Sequence, residues 1–199
     1  MLFRSVGACG FDLHLHVHQF VADHLVFDQR FAEGVAFTRP RQRVIEGGLR
    51  VPLIARGAGI AGPNRTSDVP VWSCDLPVTI AALAGAPPLD AAATAELDGV
   101  DLSPLMQGAG TLDRDALYWH YPHYANQGGK PGAAVRSGSW KLIEFYENGR
   151  RELFDLAKDP RESRNLAVER PEVVEQLAAK LEAWRRASGA LRPTPNPQY

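Results

Sequence analysis

The chain has 199 residues, 23% of them charged, and a formal net charge of −1. So even a balance supplies no global field for nucleic acid or an anionic membrane, and any binding of anions must be local. The length allows one large domain or two small ones, a single domain of that size burying roughly 70% of the surface its unfolded chain exposes, and no apolar run approaches the roughly 18 residues of a membrane span.

Two cysteines, Cys9 and Cys74, form neither a metal-ligand spacing nor a disulfide framework; one bridge is compatible with them but is not predicted. From the N-terminus, Asp12-Leu13-His14-Leu15-His16-Val17-His18 alternates polar and apolar residues. A strand there puts the three imidazoles on one face, able to chelate zinc or nickel. His-x-His on a strand is similar to the metal site of amidohydrolases, which activate a water, but those enzymes need a barrel of roughly 250 residues and no repeated βα pattern is present. The competing reading is a half-buried strand or an arm with unrelated histidines. The same polar residues interrupt the apolar stretch that a signal peptide requires, so no export leader is read.

Leu49 to Arg56 is a short β-type run ended by Gly57-Ala58-Gly59, and Pro52 places it at a strand start or a sheet edge. Ser73 to Ala84 predicts a helix that Ser73 or Asp75 can cap, with Pro77 in its first turn and a stop at Gly85 and Pro87-Pro88. Leu89 to Glu96 is Ala-rich, a loose loop or a short helix. Asp98-Gly99-Val100-Asp101-Leu102-Ser103-Pro104-Leu105 reads as a capped turn before one helical turn. From Ala116 the period changes to that of strands: Ala116 to Tyr121, Ala133 to Arg136, Trp140 to Tyr146 and Arg151 to Leu156, with Asn148-Gly149 as a hairpin signal. Glu169 to Arg186 is an amphipathic helix with Pro171 near its start, an apolar stripe of Val174, Leu177, Ala178, Leu181 and Trp184, and a Glu182–Arg186 pair on the outer face. A proline-rich tail, Arg192 to Tyr199, closes the chain, and no internal repeat is visible.

Several of these segments, in order, resemble the C-terminal half of type I sulfatases, which hydrolyse sulfate esters. They are Glu46-Gly47-Gly48-Leu49-Arg50-Val51-Pro52, Leu117-Tyr118-Trp119-His120-Tyr121-Pro122-His123-Tyr124, Ala134 to Glu144, and Glu152-Leu153-Phe154-Asp155-Leu156. Asp75 to Gly85 is similar to the family's Asp-Leu-x-Pro-Thr helix with the proline shifted by one place, and Asp98 to Leu105 to its Leu-Asp-Gly-x-Ser-Leu-x-Pro-Leu element. The resemblance implies an α/β fold class: the end of an alkaline-phosphatase-like domain, plus a small antiparallel sheet of about four strands packed by a C-terminal helix. It divides the chain into a truncated or irregular segment (1–45), the end of the α/β domain (46–112), the C-terminal subdomain (113–190) and the tail (191–199).

The family's activity rests on a formylglycine made within Cys/Ser-x-Pro-x-Arg, on calcium, and on basic residues around the sulfate. Neither cysteine nor any serine stands in that motif, so no catalytic nucleophile is assigned. Phe31 to Thr38 resembles an element that precedes the nucleophile in the family, yet Glu46 follows almost at once, which reads as an internal deletion or a fused fragment. Asp23, within Val21-Ala22-Asp23-His24-Leu25, is the candidate metal ligand by likeness to Ala-Asp-Asp-Leu, with His24 in place of the second carboxylate. Arg41 stands where the family has a sulfate-contacting lysine and keeps its charge but not its geometry.

The candidate substrate-binding residues are His120 and His123, near the mouth implied by the resemblance, with Arg136 and Lys141 adding positive charge. For each histidine the competing reading is packing satisfied by backbone carbonyls; for the cations, plain solvation. The implied partner is a sulfated small molecule or glycan. A strand at Leu49 to Arg56 without its usual neighbours would also expose an edge, open to oligomerisation or another partner. Three functions follow: a piece of a sulfuric ester hydrolase acting on sulfated sugars or aryl sulfates, a non-catalytic module binding sulfated glycans, or a metal-dependent hydrolase built on His14, His16 and His18.

Overall fold

A computed structural model describes residues 2–6, 45–57, 60–62, 65–87, 90, 93–94, 97–108, 110–124 and 129–194. Its elements are β1 (Leu2–Val6), α1 (Glu46–Leu49), β2 (Arg50–Ile54), β3 (Thr66–Val71), α2 (Asp75–Leu83), α3 (Ser103–Met106), β4 (Leu117–Tyr121), β5 (Gly132–Ser137), β6 (Trp140–Phe145), β7 (Arg151–Asp155) and α4 (Pro171–Ser188). They fall into two compact units, one built from described residues up to 6 and from 49 to 113, the other from 45–48 and 114–194.

The first unit is a three-stranded sheet in the order β2-β1-β3, with β1 antiparallel to β2 and parallel to β3. Two strands here were not predicted. β1 pairs with β2, so the Leu49 to Arg56 run is not left without a neighbour as expected. β3 is hidden in the sequence because Ser67, Asp68 and Pro70 interrupt the pattern with residues that do not favour strands; only the alternating burial along the strand betrays it. Pro52 sits opposite Arg4 on the edge strand β2, the position where a residue without an N–H is tolerated.

The unit's core gathers Leu53, Ala55, Val71, Leu102, Leu105 and Met106. Helix α2 is capped by neither predicted residue: its N-cap is Cys74, without a side-chain bond. Asp75 lies inside the first turn, wholly buried, and its carboxylate accepts the N–H groups of Trp72 (2.9 Å) and Val100 (3.0 Å). Thr79 Oγ1 donates to the Asp75 carbonyl (2.7 Å) and accepts the Leu102 N–H (2.9 Å). A Cβ at Gly99 would stand 1.9 Å from the Cys74 carbonyl oxygen, so only glycine allows this approach. The two motifs at 75–85 and 98–105 therefore form one hydrogen-bonded assembly. Asp101 Oδ1 accepts the Ser103 N–H (2.8 Å) at the start of the single turn α3. Cys74 is disulfide-bonded, and Cys9 lies outside the described residues.

The second unit is an antiparallel sheet in the order β4-β5-β6-β7 with α4 across one face. Ala133, Val135, Leu142 and Leu153 meet Val174, Leu177, Ala178 and Leu181 of the helix, all buried. Burying each of the larger side chains contributes on the order of 1.5–3 kcal/mol. Tyr118 stacks on Trp184 with ring centroids 5.1 Å apart. Pro171 opens α4, and Gly189, left-handed at φ +66°, ends it. At the β6–β7 turn only Gly149 takes a positive φ (+66°); Asn148 instead accepts the Arg150 N–H through its side chain (3.0 Å).

Candidate functional site

The second unit carries all four candidate substrate-binding residues, and its register decides which can act together. Tyr118, Val135 and Leu142 pair across β4, β5 and β6 on the helix-covered face, and alternation puts His120, opposite Ala133, on that same face. Arg136 and Lys141, paired with each other and with Leu117 and Phe154, stand on the opposite face. His123 lies beyond Tyr121, which pairs with Gly132; Arg136 is four residues further along β5, about 13 Å away at strand rise. The four residues thus occupy three places.

His120 is half-buried. Its Nδ1 lies 2.6 Å from the Tyr146 hydroxyl, which also takes a long bond from Arg185 Nη1 (3.5 Å). Donation from Arg185 to the Tyr146 oxygen leaves the phenol proton for Nδ1, so the network selects the tautomer protonated at Nε2. Burial holds the ring below its usual value, reinforced by the charges of Arg185 and His123 and opposed by a hydrogen bond with the Leu191 backbone. Tyr146 is pushed up by burial despite Arg185, and so stays a phenol. His120 is a neutral imidazole tied to β6 and to the chain beyond α4.

Behind it, Arg185 reaches Glu144 (3.0 Å) and Glu182, with both Arg185 and Glu144 about 4% exposed. Burial would lower the guanidinium, but the bonds to Tyr146, Glu182 and Glu144 outweigh it and hold it well above its ordinary range. Arg151 and Arg192 also approach Glu144, at 3.3 and 3.0 Å. The sequence did offer a signal for this network: Arg185 follows Leu181 by four residues on the buried stripe, where a solvated arginine is out of place.

Exposed beside this network are His123 and Tyr124. The His123 ring stands edge-on to Tyr121 at 5.8 Å. The Tyr124 hydroxyl donates to Glu147 (2.9 Å), whose other oxygen is 2.6 Å from Lys130 Nζ. This end of the sheet offers aromatic faces with polar tips and hydrogen-bond donors, a surface that fits a sugar or an aryl ring.

Lys141 has no exposed surface. Its Nζ stands 3.0 Å from Glu46 Oε1 and 2.9 Å from Glu162 Oε1. Glu46 also donates its N–H to Glu162 Oε2 (2.7 Å), and Arg136 Nη1 is 3.9 Å from Glu46 Oε2. Burial pushes the Glu162 carboxyl up against the pull of Lys141. Glu162 is the only described non-glycine residue with positive φ (+53°). Lys141 therefore fastens α1 and the 157–166 turn region to the sheet, and it has no free donor face for a ligand.

Asp23, Arg41, His14, His16 and His18 lie outside the described residues. Among the described residues no group of three or more His, Cys, Asp or Glu side chains could hold a metal ion. No described helix is long and apolar enough to cross a membrane.

Strands β4 to β7, the Glu46 segment and most of the covering helix lie within the stretch of sequence that a family model matches. The model for the C-terminal region of N-sulphoglucosamine sulphohydrolase covers residues 23–187. The chain belongs to this sulfatase family. Human arylsulfatase A is 35% identical over 157 residues, which cover 66% of this chain and 30% of that protein. A sulfatase of Formosa agariphila is 30% identical over 152 residues, 70% of this chain and 27% of that protein. The solved structure of BT4656 in complex with its substrate D-glucosamine-2-N,6-O-disulfate aligns at a TM-score of 0.58 and 28% identity, over 69% of this chain and 28% of that one. The chain thus spans less than a third of the length of each of these relatives.

Proposed function

We propose that this chain forms the substrate-side C-terminal portion of a sulfuric ester hydrolase acting on sulfated sugars or aryl sulfates, and that the chain supplies no nucleophile of its own. Family membership over residues 23–187 carries the reaction class; the missing Cys/Ser-x-Pro-x-Arg motif carries the second clause. The contact surface is the exposed end of the sheet, where His123 donates to a sulfate or sugar oxygen and Tyr124 offers a ring face. His120 sets the position of β4 through Tyr146 and keeps Nε2 as its protonated nitrogen. Arg136, 17% exposed in its side chain, adds positive charge on the other face. Lys141 enters only as the counter-ion that holds Glu46. Calcium belongs to this reading through the family, with Asp23 as the one candidate ligand in this chain.

The test is a residue-resolved nuclear magnetic resonance titration with D-glucosamine-2-N,6-O-disulfate and, separately, with unsulfated glucosamine. Shifts should centre on Tyr121, His123 and Tyr124 with the sulfated sugar alone. His123→Ala should weaken binding about tenfold or more, as expected when a hydrogen bond to a charged group is lost. Equal shifts with the unsulfated sugar would sink the proposal.

A further inference from the structure

We infer that the first unit carries a separate binding site for an anionic sugar, built on Arg65 beside strand β3. A depression of about 450 Å³ lies there, lined by Arg65, Thr66, Ser67, Asp68, Gly108 and Gly110 among others. The substrate class rests on the reading of this chain as part of a sulfated-sugar hydrolase; the site itself rests on three observations.

First, no hydrogen-bond or ion-pair partner for the Arg65 guanidinium is found among the described residues. A guanidinium carries five N–H donors in a fixed fork that matches the oxygens of a sulfate or carboxylate two at a time. Second, the guanidinium lies close against the backbone at Gly108. Gly108 sits at φ +111°, and a Cβ there would stand 2.9 Å from Arg65 Nη1 and 3.2 Å from Nη2. The guanidinium therefore occupies space beside a backbone position that only glycine leaves open, and a side chain there would displace it. Third, β3 is irregular at this point. Phe3 pairs with Ser67 and Ser5 with Val71, so four residue steps of β3 run against two of β1, and the irregularity falls at Asp68 and Val69, which line the depression.

The lining also selects the ligand. The hydroxyls of Thr66 and Ser67 can donate or accept, and the Asp68 carboxylate accepts only. A free dianion gains from Arg65 but is repelled by Asp68. A sulfated sugar places one sulfate on the guanidinium and its hydroxyls toward the carboxylate, so the mixed donor and acceptor set favours a sulfated polyol, which has donors to offer, over inorganic sulfate, which has none.

The experiment is the residue-resolved titration of the full chain with D-glucosamine-2-N,6-O-disulfate, and with sodium sulfate at matched ionic strength, applied to Arg65→Ala, Arg65→Lys and Gly108→Ala. With the sugar, shifts should appear at residues 65–69 and 108–110. Arg65→Ala should lose about tenfold or more in affinity, and Arg65→Lys should fall between it and the parent because charge without the fork is retained. Gly108→Ala should weaken binding with the charge unchanged; if it fails to fold, the two surface Arg65 variants carry the test alone. Unchanged affinity in Arg65→Ala, or sodium sulfate binding as tightly as the sugar, would overturn the inference. Shifts confined to residues 121–124 would also overturn it while leaving the proposed function standing. Shifts confined to 65–69 and 108–110 would do the reverse.

Discussion

Lys141→Met puts the buried triad of the second unit to a quantitative test. The substitution keeps the volume and removes the only cation among the described residues within 3.0 Å of Glu46 and Glu162. Two buried carboxylates are then left together, and removing one partner of a buried pair commonly costs about 3–5 kcal/mol. The cost has a ceiling, because one carboxyl can take up a proton. Bringing a group with an ordinary value of 4.5 to the neutral form at pH 7 costs roughly 3 kcal/mol. Glu162 is the group that protonates, since burial has already pushed its carboxyl up. The loss should be about 3 kcal/mol at pH 7 and below about 1 kcal/mol at pH 5, where protonation is nearly free. Urea unfolding read from β6 amide resonances at both pH values measures it. Adding Glu162→Gln should recover most of the loss at pH 7, because the amide oxygen can still accept the Glu46 N–H. A loss under about 1 kcal/mol at pH 7, or one equal at both pH values, would refute the reasoning.

Other outcomes follow from the same geometry. The folded-state value of Glu162 lies above its unfolded one, so its contribution to stability is whole below about pH 4.5 and is lost as pH rises through the folded value; Glu162→Gln should flatten that part of the pH profile of unfolding. His120 behaves oppositely: its depressed value gives stability that is present above about pH 6.5 and lost as pH falls through the folded value, and its ring resonances should titrate below 6.5. Tyr146→Phe, which removes the bond to Nδ1, should cost about 1 kcal/mol in urea unfolding and move the His120 titration. Leu181→Ala, at a wholly buried position under α4, should cost about 2–5 kcal/mol. Gly99→Ala should prevent folding of the first unit, as read by thermal melting, whereas Gly110→Ala, with open space around its Cβ, should change stability by less than about 0.5 kcal/mol.

The second unit was largely legible because its signals are periodic. Alternation marked four strands and a 3.6-residue stripe marked the helix, each within a residue or two of the observed bounds. The first unit was less so. β3 carries a proline and three polar residues, and β1 gains its place only by pairing with β2 and β3, a non-local fact that no window of sequence contains. The candidate site failed to read as one cluster for a simpler reason. His120 and Arg136 were judged by closeness in sequence, but His120 pairs with Ala133, three residues from Arg136, and an odd separation on one strand turns a side chain to the opposite face. Lys141 read as a surface cation because its partners, Glu46 and Glu162, lie 95 residues before it and beyond the next strand.

Hydrolysis of a chromogenic aryl sulfate by the purified chain, with calcium present and a formylglycine-generating enzyme co-expressed, tests the central claim most directly. The account predicts no turnover above the buffer blank, since no cysteine or serine stands in the motif that is converted. Calcium-dependent turnover that survives replacement of His14, His16 and His18 would contradict it, and would mean that the chain carries a nucleophile of its own.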